Sequence, residues 1–141
     1  MTLTREQILA MEPGRELDVL IAEKVMGWSK KTFPGGGGGF TAWVDENERV
    51  MKLIANSTMN ETCYRCDYFR PSTDIAATFE AEEIAIEKDP AMYVHALASV
   101  VFDYNQVQDI SAIKKLCLFI HATPEQRCKA ALLAVTGLEL Q

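Results

Sequence analysis

The sequence predicts a single α+β domain, residues 1–141, in which helices pack on a mainly antiparallel sheet. First, 48% of the 141 residues are hydrophobic, which is enough for an ordinary core. Second, strong helix-start signals stand at Thr4, at residues 71–74 and at Thr123. Third, residues 92–102 alternate as a strand does. Long helices separated by hairpin-like strand pairs favour an antiparallel sheet over a parallel, doubly wound one.

Two helices are expected in the first 27 residues. Thr4 and Gln7 have the spacing of a capping box, and the Pro-Gly pair at 13–14 ends the short helix that the box begins. Apolar residues at helical spacing over 17–25 predict a second helix. It should end at Gly27, since glycine adopts a left-handed cap at little cost.

A loop and a hairpin are expected next. Residues 30–39 read as a linker or loop, with a flexible glycine-rich segment at 34–39. That segment lacks the Gly-Lys-Ser/Thr ending of a phosphate-binding loop. Residues 41–44 and 50–54 are predicted strands around a polar turn at 45–47.

The second half should hold two helices and two strands. Residues 71–74 (Pro-Ser-Thr-Asp) predict a helix that runs to about Lys88 and cannot continue through Pro90. Period-two patterns predict strands at 92–102 and 116–121.

The last helix is expected to begin at residues 123–126 (Thr-Pro-Glu-Gln). These residues combine an N-cap, a proline at the first helical position and a capping-box glutamine. The helix should end near Gly137.

Charge and composition restrict the function. The net charge of −6 repels phosphate backbones, so binding of nucleic acid across a broad face is not expected. No stretch has the roughly 18 apolar residues that span a bilayer, and residues 1–11 contain no signal-peptide core. Cys63 and Cys66 form no secreted-type disulfide framework. We therefore expect a cytoplasmic location.

Metal binding and catalysis find little support in the residues. Cys63 and Cys66 resemble half of a zinc site, but further ligands are scattered along the chain. His95 and His121 have no Ser, Cys or acid at a catalytic spacing. We predict no metal, no cofactor and no enzymatic activity.

One candidate ligand site lies at the start of the middle helix. Arg70, Ser72 and Thr73 place a guanidinium and two hydroxyls beside the free N–H groups of a helix start, a combination that attracts phosphate. Trp28 and Tyr68 lie in or near variable loops, where an aromatic ring can stack on a base. The alternative is a well-capped helix beside a surface arginine, with the aromatic residues in the core.

Three motifs in this order resemble the phage ABA sandwich domain family: residues 23–28, residues 71–77, and residues 123–125 with 128–134. The resemblance implies a three-layer α/β/α sandwich, a bacteriophage source and a location in the host cytoplasm, but no settled activity. Phe79 stands where the family pattern has tryptophan. Residues 35–69 and 103–115 are longer than in that pattern.

Two functions are compatible with this resemblance. The first is a homo-oligomeric sponge that sequesters a small nucleotide immune messenger, of the cyclic nucleotide or cyclic ADP-ribose type. Leu116, Leu118 and Ile120 would supply its interface strand. The alternative is an interaction module that binds a host or phage protein without a small ligand.

Overall fold

The computed structural model of the chain describes residues 2–34, 40–54, 69–102 and 112–138. Helices and a three-stranded antiparallel sheet together confirm the α+β class. The elements are α1 (Arg5–Ala10), α2 (Arg15–Leu20) with a π-helical turn (Ile21–Val25), β1 (Ser29–Phe33), β2 (Phe40–Val44), β3 (Val50–Ile54), α3 (Ile75–Lys88), α4 (Pro90–Val101), α5 (Ala112–Ile120) and α6 (Pro124–Thr136).

The first two helices follow the sequence signals. Thr4 and Gln7 form the expected capping box, in which each side chain accepts from the other residue's backbone N–H, at 3.2 and 2.8 Å. The π-helical turn after α2 ends at Val25, and two residues later Gly27 has φ 72°, the left-handed value predicted for the end of this helix. Trp28 N then donates to Ala22 O at 2.9 Å, which carries the chain into the sheet.

The sheet has the order β1-β2-β3. The hairpin β2–β3 matches the predicted strands, and the Asp45 carboxylate closes its turn by accepting from the N–H groups of Asn47 and Arg49, both at 2.9 Å. The loop predicted for 30–39 is wrong over residues 30–33, which belong to β1. The sequence of β1 is polar and does not alternate with apolar residues, so it gives no strand signal. The backbone pairing with β2 makes these residues a strand.

Residues 92–102 are helical through Val101, so the predicted strand is wrong. Asp89 caps α4 by accepting from Met92 N at 3.1 Å, and Pro90 occupies the first turn. The proline that stops α3 therefore starts α4. Almost every residue here is apolar, so the segment fits both periods, and its length of twelve residues favours a helix.

The strand predicted at 116–121 is also wrong, because α5 spans these positions up to Ile120. Phe119 meets Phe102 edge to face, with ring centroids 5.1 Å apart. This contact with the end of α4 is one that no local pattern encodes.

The core is built around α6, which begins at the predicted capping box and ends at Gly137 with φ 73°. Cys128 and residues 130–133 are fully buried. Against them α3 places small residues, among them Ala77, Ala81 and Ala85. Small side chains allow the two helices to approach closely, so the large side chains of α3 point elsewhere.

Candidate functional site

The start of α3 is where the sequence placed an anion site. Ser72 is only 3% exposed, and its Oγ accepts a hydrogen bond from Gly14 N at 2.9 Å. Ser72 N donates to Asp18 Oδ1 at 2.8 Å. The serine therefore joins α2 to α3 inside the protein, and its hydroxyl does not face a ligand.

Several backbone donors around this helix start are also occupied. Asp74, and neither Ser72 nor Thr73, is the N-cap of α3, and its carboxylate accepts from Ala76 N at 3.1 Å. The N–H groups of Thr73 and Asp74 donate to Arg70 O at 3.1 and 2.8 Å. An incoming phosphate would have to replace these bonds.

The anion in this place is the carboxylate of Asp18. Burial raises the pKa of Asp18, while the hydrogen bonds from Ser72 and the charge of Arg70 oppose that rise. Arg70 and Thr73 are solvent-exposed next to the buried serine. The geometry thus fits the alternative interpretation, a capped helix start beside a surface arginine, better than it fits a phosphate site.

Of the two aromatic residues of the predicted site, the structure describes only Trp28. Trp28 is 7% exposed and packs against Phe69, with ring centroids 4.9 Å apart and planes inclined at 59°. Trp28 belongs to the main core, so its faces are not available to a base. Tyr68 lies outside the described residues.

The remaining reactive side chains are dispersed. His95 is exposed on α4, and His121 is exposed just after α5. Cys117 is exposed, whereas Cys128 is buried, and burial raises the pKa of the Cys128 thiol to about 12. Cys63, Cys66 and the five consecutive glycines lie outside the described residues.

Neither a cluster of metal ligands nor a membrane-spanning helix occurs in the part of the chain that the structure describes. Within residues 2–34, 40–54, 69–102 and 112–138, no three His, Cys, Asp or Glu side chains gather as metal ligands do. In the same residues, no helix is long and apolar enough to cross a membrane.

An open groove of about 970 Å³ lies along α1 and α2. Its apolar lining includes Leu3. Its charged lining consists of two basic residues, Arg15 and Lys24, and two acidic residues, Glu12 and Glu16. Because these charges balance, the groove gives a phosphate group no net positive surroundings.

The most unusual surface is the outer face of α3. Ile75, Phe79 and Ile86 recur at helical spacing and are 42%, 51% and 40% exposed. We call these three residues the α3 stripe. The helix was predicted from residues 71–74, but no local signal shows that α3 uses its alanines for the core. Three large apolar residues on one exposed helix face are typical of a binding surface.

A partly buried ion pair supports the α3 stripe at Phe79. Arg127 Nη1 lies 2.9 Å from Glu82 Oε2, and the two side chains are 13% and 15% exposed. The Tyr93 hydroxyl donates to the same carboxylate oxygen. The Arg127 guanidinium lies over the ring of Phe79, 5.6 Å from its centroid. Glu82 therefore lies against α4 and α6, and not with the exposed acidic side chains of α3.

The same guanidinium connects the stripe to α5. Arg127 Nη2 donates to the carbonyls of Phe119 and Ile120 at 3.2 and 3.1 Å, and its Nε donates to Ala122 O at 3.0 Å. Ile120 is 64% exposed. Apolar surface therefore lies on both sides of Arg127, on α3 and on the end of α5.

Comparisons with family models, with curated proteins and with solved structures find no match to this chain. The resemblance to the phage ABA sandwich domain therefore stays a prediction.

Proposed function

We propose that this protein is a non-catalytic interaction module whose partner is another protein. The observation that carries the proposal is the α3 stripe, in which Phe79 is more than half exposed while neighbouring alanines fill the core. Full burial of such a side chain contributes about 1.5–3 kcal/mol, and each stripe residue, at 40–51% exposed, forgoes part of that free energy. A partner that covers the stripe would recover part of that free energy.

The support under the stripe favours a preformed surface. Arg127 is fixed by Glu82 and by three carbonyl oxygens, and it packs on the ring of Phe79. A ring held in place by a fixed neighbour loses little conformational entropy when a partner binds. The stripe therefore suits docking of a folded surface or a helix.

The test compares three tagged proteins in lysates of the bacterial host. Wild type and the control V94Q, which changes an exposed apolar residue of α4, should retain the same identified protein. F79Q/I86Q should not retain that protein. When the partner is purified, it should bind the wild type and V94Q and should not bind F79Q/I86Q. If no retained protein depends on Phe79 and Ile86, the proposal fails.

The nucleotide sponge stays a separate prediction, and the geometry around Ser72 does not favour it. Thermal shift with a panel of cyclic mono- and dinucleotides and cyclic ADP-ribose tests it, since a ligand at one hundred times its Kd adds about 2.7 kcal/mol of stability. A ligand that binds wild type and R70A equally would use another pocket. If no nucleotide of the panel stabilises the wild type or R70A, the sponge hypothesis is refuted.

We also propose, from the sequence resemblance alone, a bacteriophage accessory protein with a three-layer sandwich fold that acts in the host cytoplasm. Self-association is part of that proposal. Leu116 and Ile120 lie on a helix, and not on the interface strand expected, but both are exposed on α5, at 61% and 64%.

A further inference from the structure

We infer that the partner presented to the α3 stripe is a basic amphipathic helix; this inference rests on the proposed interaction function. The stripe extends from Ile75 to Ile86, eleven residues of helix or about 16 Å. That length matches about three turns of a partner helix. Helices that dock in this way use apolar anchors spaced by three, four or seven residues.

The negative charge beside the α3 stripe favours a positively charged partner. Glu80, Glu83 and Glu87 are exposed on α3 and recur at intervals of three and four residues, so they form an acidic row along one side of the stripe. Lys52 lies 4.0 Å from Glu80, a weak contact between side chains that are 32% and 48% exposed. The whole chain carries −6, so the local and the overall charge have the same sign.

A second copy of this chain fits the surface poorly. Two α3 helices packed antiparallel across a twofold axis would bring acidic rows of the same sign together along one side of the interface, which costs free energy. Anionic lipid is disfavoured for the same reason. A helix with Lys or Arg beside its apolar anchors satisfies both the stripe and the row.

The second side of the contact is provided by Arg127. Its guanidinium is paired with Glu82 and lies over the ring of Phe79. The cation is already paired with a partly buried carboxylate. It therefore adds little repulsion toward a basic partner.

Three fluorescent 18-residue peptides test the inference by anisotropy. All carry the same leucines at helical spacing, and their polar positions are filled with lysine, glutamine or glutamate. The lysine peptide should bind wild type at least tenfold more tightly than the glutamate peptide, and 0.5 M salt should reduce the difference. E80Q/E83Q/E87Q should remove most of the preference, whereas E46Q/E48Q, in the β2–β3 turn, should not.

The outcomes separate the two proposals. If all three peptides bind equally and F79Q/I86Q weakens each of them, the apolar docking surface stands and the basic character of the partner is refuted. If F79Q/I86Q binds every peptide as wild type does, or if no peptide binds, the docking of a helix on the stripe is refuted. A preference for the glutamate peptide would also overturn the inference. Circular dichroism of each variant at 222 nm confirms that the fold is retained.

Discussion

Replacing Arg127 with methionine should destabilise the protein by more than the roughly 1 kcal/mol of an exposed ion pair and by at most about 3–5 kcal/mol, the cost of removing one partner from a fully buried pair, because this pair is partly buried. Glu82, 15% exposed, would keep its charge without its cation. Three carbonyl oxygens at and just after the end of α5 would also lose the hydrogen bonds that Arg127 donates. Because the free energy of unfolding of most domains is about 5–15 kcal/mol, this loss should move the urea midpoint strongly.

Urea unfolding followed by circular dichroism measures the effect. The matched control is K31M, because Lys31 and Glu48 are 38% and 70% exposed, and such pairs contribute at most about 1 kcal/mol. The double variant R127M/E82Q should be more stable than R127M, since it leaves no uncompensated charge. R127K keeps the charge without the planar fork and should fall between wild type and R127M.

The reasoning about Arg127 is refuted by either of two results. One is a loss below about 1 kcal/mol for R127M, within the range of an exposed pair. The other is a double variant with Glu82→Gln that is no more stable than R127M. If R127M does not fold, R127K and the E82Q single variant still measure the contribution of the pair.

Three further predictions concern Asp18, the cysteines and association. Burial raises the native pKa of Asp18, so the protonated carboxyl stabilises the fold fully below about pH 3.8, and this stabilisation is lost as the pH rises through the native pKa. The urea midpoint of D18N should therefore rise relative to that of the wild type from pH 4 to 7. Parallel profiles of the two midpoints against pH would contradict this. Iodoacetamide at pH 8 should modify Cys117 in the native protein and reach Cys128 only in urea, as peptide mass spectrometry can show; equal native labelling would count against the buried thiol. Light scattering at micromolar concentration should give an oligomer that L116Q/I120Q dissociates, and a wild-type monomer would exclude the association.

The sequence by itself determined the elements whose ends carry a local signal. The capping boxes at Thr4 and Thr123 and the left-handed glycines at 27 and 137 stand where they were predicted, because each depends only on residues within one turn. The β2–β3 hairpin was predicted for the same reason. Such signals need no knowledge of what packs on the element.

Only the tertiary structure decided between helix and strand in the apolar segments. Residues 92–102 satisfy both periods, and α4 becomes definite because Tyr93, Ala96 and Leu97 turn to one buried side. The polar strand β1 is ordered by pairing with β2.

The candidate site shows the same division between local and distant information. From sequence, Ser72 and its neighbours looked like free donors, because Asp18 and Gly14 lie more than fifty residues away in the chain. From sequence, Phe79 occupies an apolar position of α3, and no residue within a turn of it shows which face of the helix the core takes. Packing against α6 accepts alanines at close range and leaves Phe79 in solvent, so the exposed surface of this protein is a consequence of which helix face fits the core.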